Sequence, residues 1–439
     1  MPVLATPGFD AQAVASLPGP SWLRDARIAA WERFGASELP SESEEIWRYS
    51  RIDDLQLERY RPCQPGDEVP LRALAQQVQE LVMSAGEGAT VVLSHNGGDA
   101  RVLRPQQGLA VAPAADQAFG AANGEVLVLA GPRADIWTAL NAALVGVPWR
   151  AQVAAGVALD RPLVVVHWLD AEGAAVFPRL EVEVGANASV EVLEVVASSD
   201  VESLAVPMTV LDVGTGATLG FGQVQLLGGR AWELGNQVSR VGRDATLRSM
   251  TVALGGDYAR VRTDSVLAGP GGQSELLAAY FGAGSQMHDL RTVQHHAAPQ
   301  ARSDLLFKGV VANQAHSVYS GLIRVEKGAR GTNAFQTNRN LVLSEGARAD
   351  SVPNLEIEDN DVRCSHASAV GPIDESQRFY LESRGVPAPA AERLIAMGFL
   401  DDVLERFPVR GLLPWLRSAV AAKVGPAGLG DADGWGGAA

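Results

Sequence analysis

From residue 151 to 365 the apolar positions fall in short runs with a period of two, as in RPLVVVHWLD and RLEVEVGANASVEVLEVV, each closed by Gly, Asn or Asp. Alternation over about seven residues followed by a turn residue is the pattern of a strand with one or both faces covered. The runs also keep an interval. Segments open at Gly214, Gly228, Gly242 and Gly256, a constant step of 14; the grid misses at Pro270 and returns at Gly284. Three places on, Ala217, Ala231, Ala245 and Ala259, then Ala301, Ala315 and Ala329, hold the same step, with Gln273 and Met287 in the gaps. Ala188 lies one residue off that grid.

One strand and one turn in every repeat, without Asn-Gly hairpin signals, predicts a chain that coils in one direction. Two strands per coil give about 28 residues per turn and a parallel β-helix of two flattened sheets. Glycine suits the turns because positive φ costs it nothing. An antiparallel sandwich also repeats strands at short intervals, but it seldom keeps phase through so many units.

On either side the spacing changes to helical. Residues 1–150 read as a mixed, mainly helical region, with SWLRDARIAAWERF, PLRALAQQVQELVMSA and RADIWTALNAALV as helices and ATVVLSHNGG as a strand entering a turn. Residues 366–425 read as a helical end piece. Asp374 caps ESQRFYLESR, Gly385 ends it, and PAAERLIAMG, LDDVLERF and LLPWLRSAVAAKV follow. Its apolar positions Phe379, Leu394, Ile395, Phe399, Leu404, Trp415 and Leu416 need a surface to cover, in this chain or in a partner. Residues 426–439, GPAGLGDADGWGGAA from Gly425 on, offer little to bury and are expected to form a flexible tail.

Composition narrows the function. With 47% apolar and 20% charged residues the chain is ordinary globular material, and a net charge of −15 argues against nucleic acid or an anionic membrane as main partner. No long apolar run and no basic-then-apolar start is present, so neither a membrane span nor a secretory leader is expected. Cys63 and Cys364 cannot build a disulfide framework, which suits a reducing, cytoplasmic setting. Phosphate-loop, nucleophile-elbow, zinc-helix and paired-cysteine motifs are all missing from the sequence. The acidic group Glu356, Glu358, Asp359 and Asp361 reads as the solvated rim of a last coil rather than a glycosidase or calcium site.

Histidines gather late, at His288, His295, His296, His316 and His366, in no known metal spacing. His288 and His316 are 28 apart, which would put one above the other in the coil. In VRCSHASAVGPIDE, Cys364 and His366 fall at i and i+2, so an extended backbone turns both to one side, about 6.5 Å apart. A thiolate and an imidazole there suit iron, zinc or the edge of an iron–sulfur cluster, with further ligands from elsewhere, most simply a second chain. The plain alternative is a buried structural cysteine beside a histidine bonded to backbone.

Three longer strings carry a resemblance: SDLLFKGVV, then NRNLVLSEGARADSVPNLEIEDNDVRCSHASAVGPIDESQRFYLESRGVP, then AERLIAMGFLDDVLERFP. From about Gly284 to Pro408 the chain resembles the SufB/SufD family of iron–sulfur cluster assembly proteins, and SEEIWRYSRIDDL near the start resembles the opening stretch of SufD members. Cys364-Ser365-His366-Ala367 stands where SufB members carry Cys-Glu-His-Glu, so the resemblance is to the SufD type; Ala367 replaces a glycine common there. The resemblance implies a right-handed parallel β-helix between helical regions, and a non-enzymatic scaffold subunit working with SufB and the ATPase SufC. It places Cys364 and His366 at the SufB interface, where a transient cluster or iron would form. No cofactor would be held stably by this chain alone, and ATP would enter through SufC. The C-terminal helices would meet SufC, with Phe399 and Leu404 as contact residues, and a homodimer without SufB is left open. Two other readings remain: a β-helical polysaccharide-active enzyme, and a structural interaction protein with no metal role.

Overall fold

The computed structural model describes residues 8–63, 69–98, 101–113, 135–146 and 148–425. Its centre is a parallel β-solenoid, as the period predicted. Successive strands alternate between two sheets. One sheet runs, from its C-terminal edge, through Arg348–Ile357, His316–Val325, Met287–His296, Tyr258–Leu267, Ala231–Val241, Met208–Val213, Arg179–Val184 and Trp149–Val153. The other runs through Val362–Gly371, Thr332–Val342, Arg302–Val311, Gln273–Gly282, Thr246–Ala253, Thr218–Leu226, Ser189–Ser198, Leu163–Leu169 and Thr90–His95. At the N-terminal end the direction reverses: Arg101–Leu103 lies antiparallel to Thr90–His95, and Leu109–Pro113 antiparallel to Trp149–Val153.

The regular corner turns explain the glycine and alanine grid. The N–H groups of Ala188, Ala217 and Ala245 donate back to the carbonyls of Gly185, Gly214 and Gly242, and all three alanines are buried. The residue before each alanine is left-handed: Asn187 at φ 56°, Gly216 at 66° and Asp244 at 51°. These residues stack, each N–H donating to the next coil, Asn187 to Thr215, Gly216 to Arg243 and Asp244 to Pro270. A Cβ on Gly214 would lie 2.7 Å from the Val184 carbonyl oxygen, so the first turn position admits no side chain.

The coil is less regular than the grid. Thr218 pairs with Thr246, a step of 28, but Trp232 pairs with Tyr258, a step of 26, and His316 with Arg348, a step of 32. Corners absorb these differences while strand register sets the stacking. Both ends of the solenoid also shift from the boundaries at 151 and 365. Thr90–His95 already pairs in parallel with Leu163–Leu169, inside the region expected to be mainly helical. Val362–Gly371 continues past 365, and the first C-terminal helix, Glu375–Ser383, starts after Asp374 caps the Ser376 N–H. VRCSHASAV hides its strand because an edge strand with both faces partly wet lacks apolar alternation. The expected tail, 426–439, lies outside the described residues.

Helices cover the outer face of each sheet, which is why mid-solenoid strands such as Leu163–Leu169 are buried throughout. Ala388–Leu404 and Leu413–Val424 lay Leu400, Val403, Leu404, Leu416 and Val420 on Val224, Met250, Val252, Leu277 and Phe281. Lys308 fastens this layer: its Nζ donates to the Phe399 carbonyl at 3.0 Å and to the Asp402 carboxylate. On the other sheet, Ser21–Gly35 and Ile136–Leu144 bring Phe34, Trp137 and Leu140 onto Phe177, Leu234 and Tyr258. Arg27, fully buried, ties these two helices together through the Val145 carbonyl at 2.9 Å and holds the segment before the first of them through the Pro18 carbonyl at 2.9 Å.

Candidate functional site

Among the described residues the last strand of each sheet, Arg348–Ile357 and Val362–Gly371, is hydrogen-bonded on one side only. Val352, Leu355, Ile357 and Val370 are exposed along them. A parallel edge with apolar side chains and unpaired backbone groups is a template for another strand.

Cys364 and His366 sit within this edge strand, not after the repeats as the boundary at 365 implied. Cys364 lies opposite Ala334 and His366 opposite Gln336. Ala334 and Gln336 are buried and face the solenoid interior, so the pair above them faces the mouth of that interior. The structure therefore brings the two onto one side of one strand, as the i, i+2 spacing predicted. Cys364 is half-buried against Ile323, Val325, Ala329 and Ala334, while His366 is exposed. Burial pushes the Cys364 thiol above its ordinary value, against the opposing pull of a hydrogen bond with the Ala334 backbone. Below His366, Gln336 donates to the Asn354 carbonyl at 3.2 Å and accepts from the Tyr319 hydroxyl at 3.1 Å. Ser368 and Ser351 meet across the mouth at 2.8 Å. Among the described residues no group of three or more His, Cys, Asp or Glu side chains could hold a metal ion. The pair offers two ligands and needs others.

The remaining histidines do not join it. His316 Nε2 pairs with Asp350 at 2.7 Å and His295 with Glu326 at 2.9 Å. His288 and His296 are buried; His288 contacts the Gly255 carbonyl at 3.1 Å and His296 the Ser303 hydroxyl at 2.8 Å. Burial pushes each of them down to about 4. His288 and His316 do not stack: His316 lies opposite Met287 and His288 opposite Ser317. The coil there advances one residue more than the even step, and one residue reverses the face. Of the acidic group, Asp359 accepts the N–H groups of Gly328 and Asp361 at 3.0 Å each, closing the last corner. Cys63 lies on the Ala175 backbone, beside a separate small apolar cluster.

Phe399 and Leu404 do not form a free face. Leu404 is 0% exposed within the layer covering the sheet, and Phe399 packs on the same layer with Lys308 over its ring at 4.9 Å. The apolar side chains this end piece does expose are Phe379 at 71%, Tyr380 at 57% and Leu394 at 56%. Ala388–Leu404 carries apolar residues around much of its circumference, so its spacing alone did not say which side the sheet would take. In the N-terminal motif, Trp47 is buried with the Arg260 guanidinium 3.9 Å from its ring centroid, and Arg348 of the edge strand reaches the Tyr49 ring at 5.4 Å.

Residues 167–399 match the family model described as SUF system FeS cluster assembly, SufBD core domain. The SufD protein of Bacillus subtilis is 32% identical over 291 residues, 65% of this chain and 66% of that protein. An iron–sulfur cluster assembly SufBD family protein of Mycobacterium tuberculosis is 42% identical over 190 residues, 42% of this chain and 48% of its own length. Escherichia coli SufD is 34% identical over 182 residues, 42% of each chain. The chain thus spans about half the length of the mycobacterial relative it matches. Family model, solenoid and relatives agree: this chain belongs to the SufBD family of iron–sulfur cluster assembly proteins.

Proposed function

We propose that this chain is the SufD-like subunit of a SUF scaffold, a binding rather than catalytic component acting in the cytoplasm. A SufB-like chain adds its own strands to Arg348–Ile357 and Val362–Gly371. The junction sets Cys364 and His366 against the partner's ligands, and each chain supplies half of a site where an iron–sulfur cluster, the cargo, is built. A SufC-like ATPase docks on the exposed apolar face at Phe379, Tyr380 and Leu394 and brings ATP to the complex. Without a SufB-like chain, a second copy takes the same edge. The observation that carries this reading is the uncovered double edge with a thiol and an imidazole on its mouth side. A thiol held above its ordinary value stays protonated in the free subunit and is deprotonated when iron binds. Two ligands of mixed softness give a labile site, suited to a cluster that is handed on.

The test is iron and labile sulfide per reconstituted complex, with subunit stoichiometry measured on the same sample. His366→Ala and Cys364→Ser are expected to leave the complex assembled and to lower its cluster content, the histidine change at least as much. Cys63→Ser is expected to change nothing. Wild-type cluster content in the Cys364→Ser, His366→Ala double variant would leave an interaction protein with no metal role. As for a polysaccharide-active enzyme, the described residues show Glu356, Glu358, Asp359 and Asp361 on the outer rim with Asp359 committed to backbone.

A further inference from the structure

Several coils away from the mouth the solenoid interior turns polar. Glu194 projects inward from Ser189–Ser198, and its carboxylate is well held. Thr209 donates to it at 2.7 Å, Gln223 at 3.3 Å, and His167 Nε2 lies 3.3 Å away. Glu233 projects inward from the opposite sheet and is 0% exposed. Among the described residues neither of its oxygens accepts a hydrogen bond of good geometry, the Gln225 amide offering only a weak one, and Gln223 Oε1 has no partner either, although Gln223 is buried and its amide is aimed at Glu194. Next to Glu233 in the same inward column stands Ala259, and beyond it His288, whose Nδ1 is also unpartnered.

Each element packed around Glu233 contributes to its electrostatics. Leu163–Leu169 brings His167, Ser189–Ser198 brings Glu194, Thr218–Leu226 brings the neutral Gln223 and Gln225, and Met287–His296 brings His288. Ser203–Ala205 and Tyr258–Leu267 place Ala205 and Ala259 beside it. Lys423, on the last helix, acts on His288 from the far side. Two carboxylates thus share an interior in which His167 is the one base in contact with either of them among the described residues. A fully buried carboxyl with no cation against it is costly to ionise, and a second carboxylate in the same interior adds to that cost.

We propose that Glu233 is a buried proton-binding site inside the solenoid, a neutral carboxylic acid at neutral pH, in the interior it shares with Glu194. The proton belongs to Glu233, while the Glu194 carboxylate takes the hydrogen bonds of Thr209 and Gln223. Burial first, and the Glu194 charge second, raise Glu233 from 4.5 to about 8. The folded chain therefore binds a proton that the unfolded chain releases between those values, and stability falls as pH rises through that window.

The experiment is infrared difference spectroscopy of the full chain. At pH 7 a neutral carboxylic-acid carbonyl band is expected, shifting in heavy water and vanishing as the pH is raised past about 8. Glu233→Gln should remove it; Glu181→Gln, at an outer-face carboxylate paired with Arg179 at 3.0 Å, should not. The absence of such a band in the wild-type chain at pH 7 overturns the proposal, and needs no variant to fold. A stoichiometric sodium, potassium or calcium ion found by elemental analysis in the wild type and lost in Glu233→Gln also overturns it, because the pair would then be an ionised cation site. Glu233→Gln should further flatten the fall in melting temperature between pH 5 and 9; an unchanged slope counts against the assignment.

Discussion

Leu404→Ala is the sharpest test of how the C-terminal end piece is attached. Leu404 is fully buried, and it shares its cluster with Leu400, Val403, Leu416 and the outer face of a sheet whose strands are fixed on both sides. A helix can shift to fill a gap, but the sheet beneath cannot, so collapse of the cavity would be partial. Leu→Ala at such sites costs about 2–5 kcal/mol, and about 3 is expected here. A solenoid this long need not unfold in one step, so global denaturation is a poor ruler. Hydrogen exchange of peptides from Ala388–Leu404 reads the local free energy directly, and about 3 kcal/mol corresponds to roughly 100-fold faster exchange. Leu394→Ala, at an exposed position on the same helix, should stay within about 0.5 kcal/mol and leave exchange nearly unchanged. On the proposed function, Phe379→Ala with Leu394→Ala weakens binding of a SufC-like ATPase without faster exchange. Equal exchange in Leu404→Ala and Leu394→Ala would refute the packing argument, and fast exchange in Leu394→Ala would refute the choice of face.

The buried histidines predict an acid limb. His288 and His296 are held down near 4 against an ordinary 6.5, so the unfolded chain binds more protons between those values and stability is lost as pH falls through that window. His288→Gln and His296→Gln should each flatten the dependence of melting temperature on pH from 7 to 4. Gly309→Ala should be severe: an added Cβ would run into the Tyr280 ring and lie 2.5 Å from Asn340 Oδ1, against a Tyr280–Asn340 hydrogen bond of 2.6 Å. About 3 kcal/mol is expected, the upper end of ordinary overpacking, read as a drop in melting temperature. Gly371→Ala, with nothing within 4 Å, should match the wild type.

Sequence order revealed what depends on local repetition. The turn at Gly214–Ala217 can be read without the structure because its glycine, left-handed residue and buried alanine are all local requirements, imposed again at Gly242–Ala245. What depends on register was not legible. A spacing of 28 put His288 over His316, and a coil one residue longer turned them to opposite faces. The strand Val362–Gly371 was cut short because its edge position removes apolar alternation. The meeting of Cys364 and His366 on one side was legible from i, i+2 spacing; that this side faces the solenoid mouth needed the pairing with Ala334 and Gln336. Leu404 was placed in the right stripe and on the wrong surface, since a stripe does not say whether a sheet or a partner covers it. The approach of Glu194 to Glu233 was out of reach, because the two come from opposite sheets with more than a full coil of chain between them.

The two ends of the solenoid differ in kind. Among the described residues both sheets finish at the N-terminal end in a strand that runs against the others, Arg101–Leu103 and Leu109–Pro113, whereas the C-terminal end offers two parallel edges. A rod with complementary ends would stack head to tail and grow into a fibre, as heterologous contacts that do not close tend to do. Here the antiparallel strands differ from the parallel C-terminal edges, so the far end of another copy is not a continuation of the coil. Two solenoids can meet tail to tail, and once they do, both growing edges are consumed. On the proposed function, the polarity of the coil favours a pair over a polymer, so that the backbone sets the size of the assembly before any side chain selects the partner.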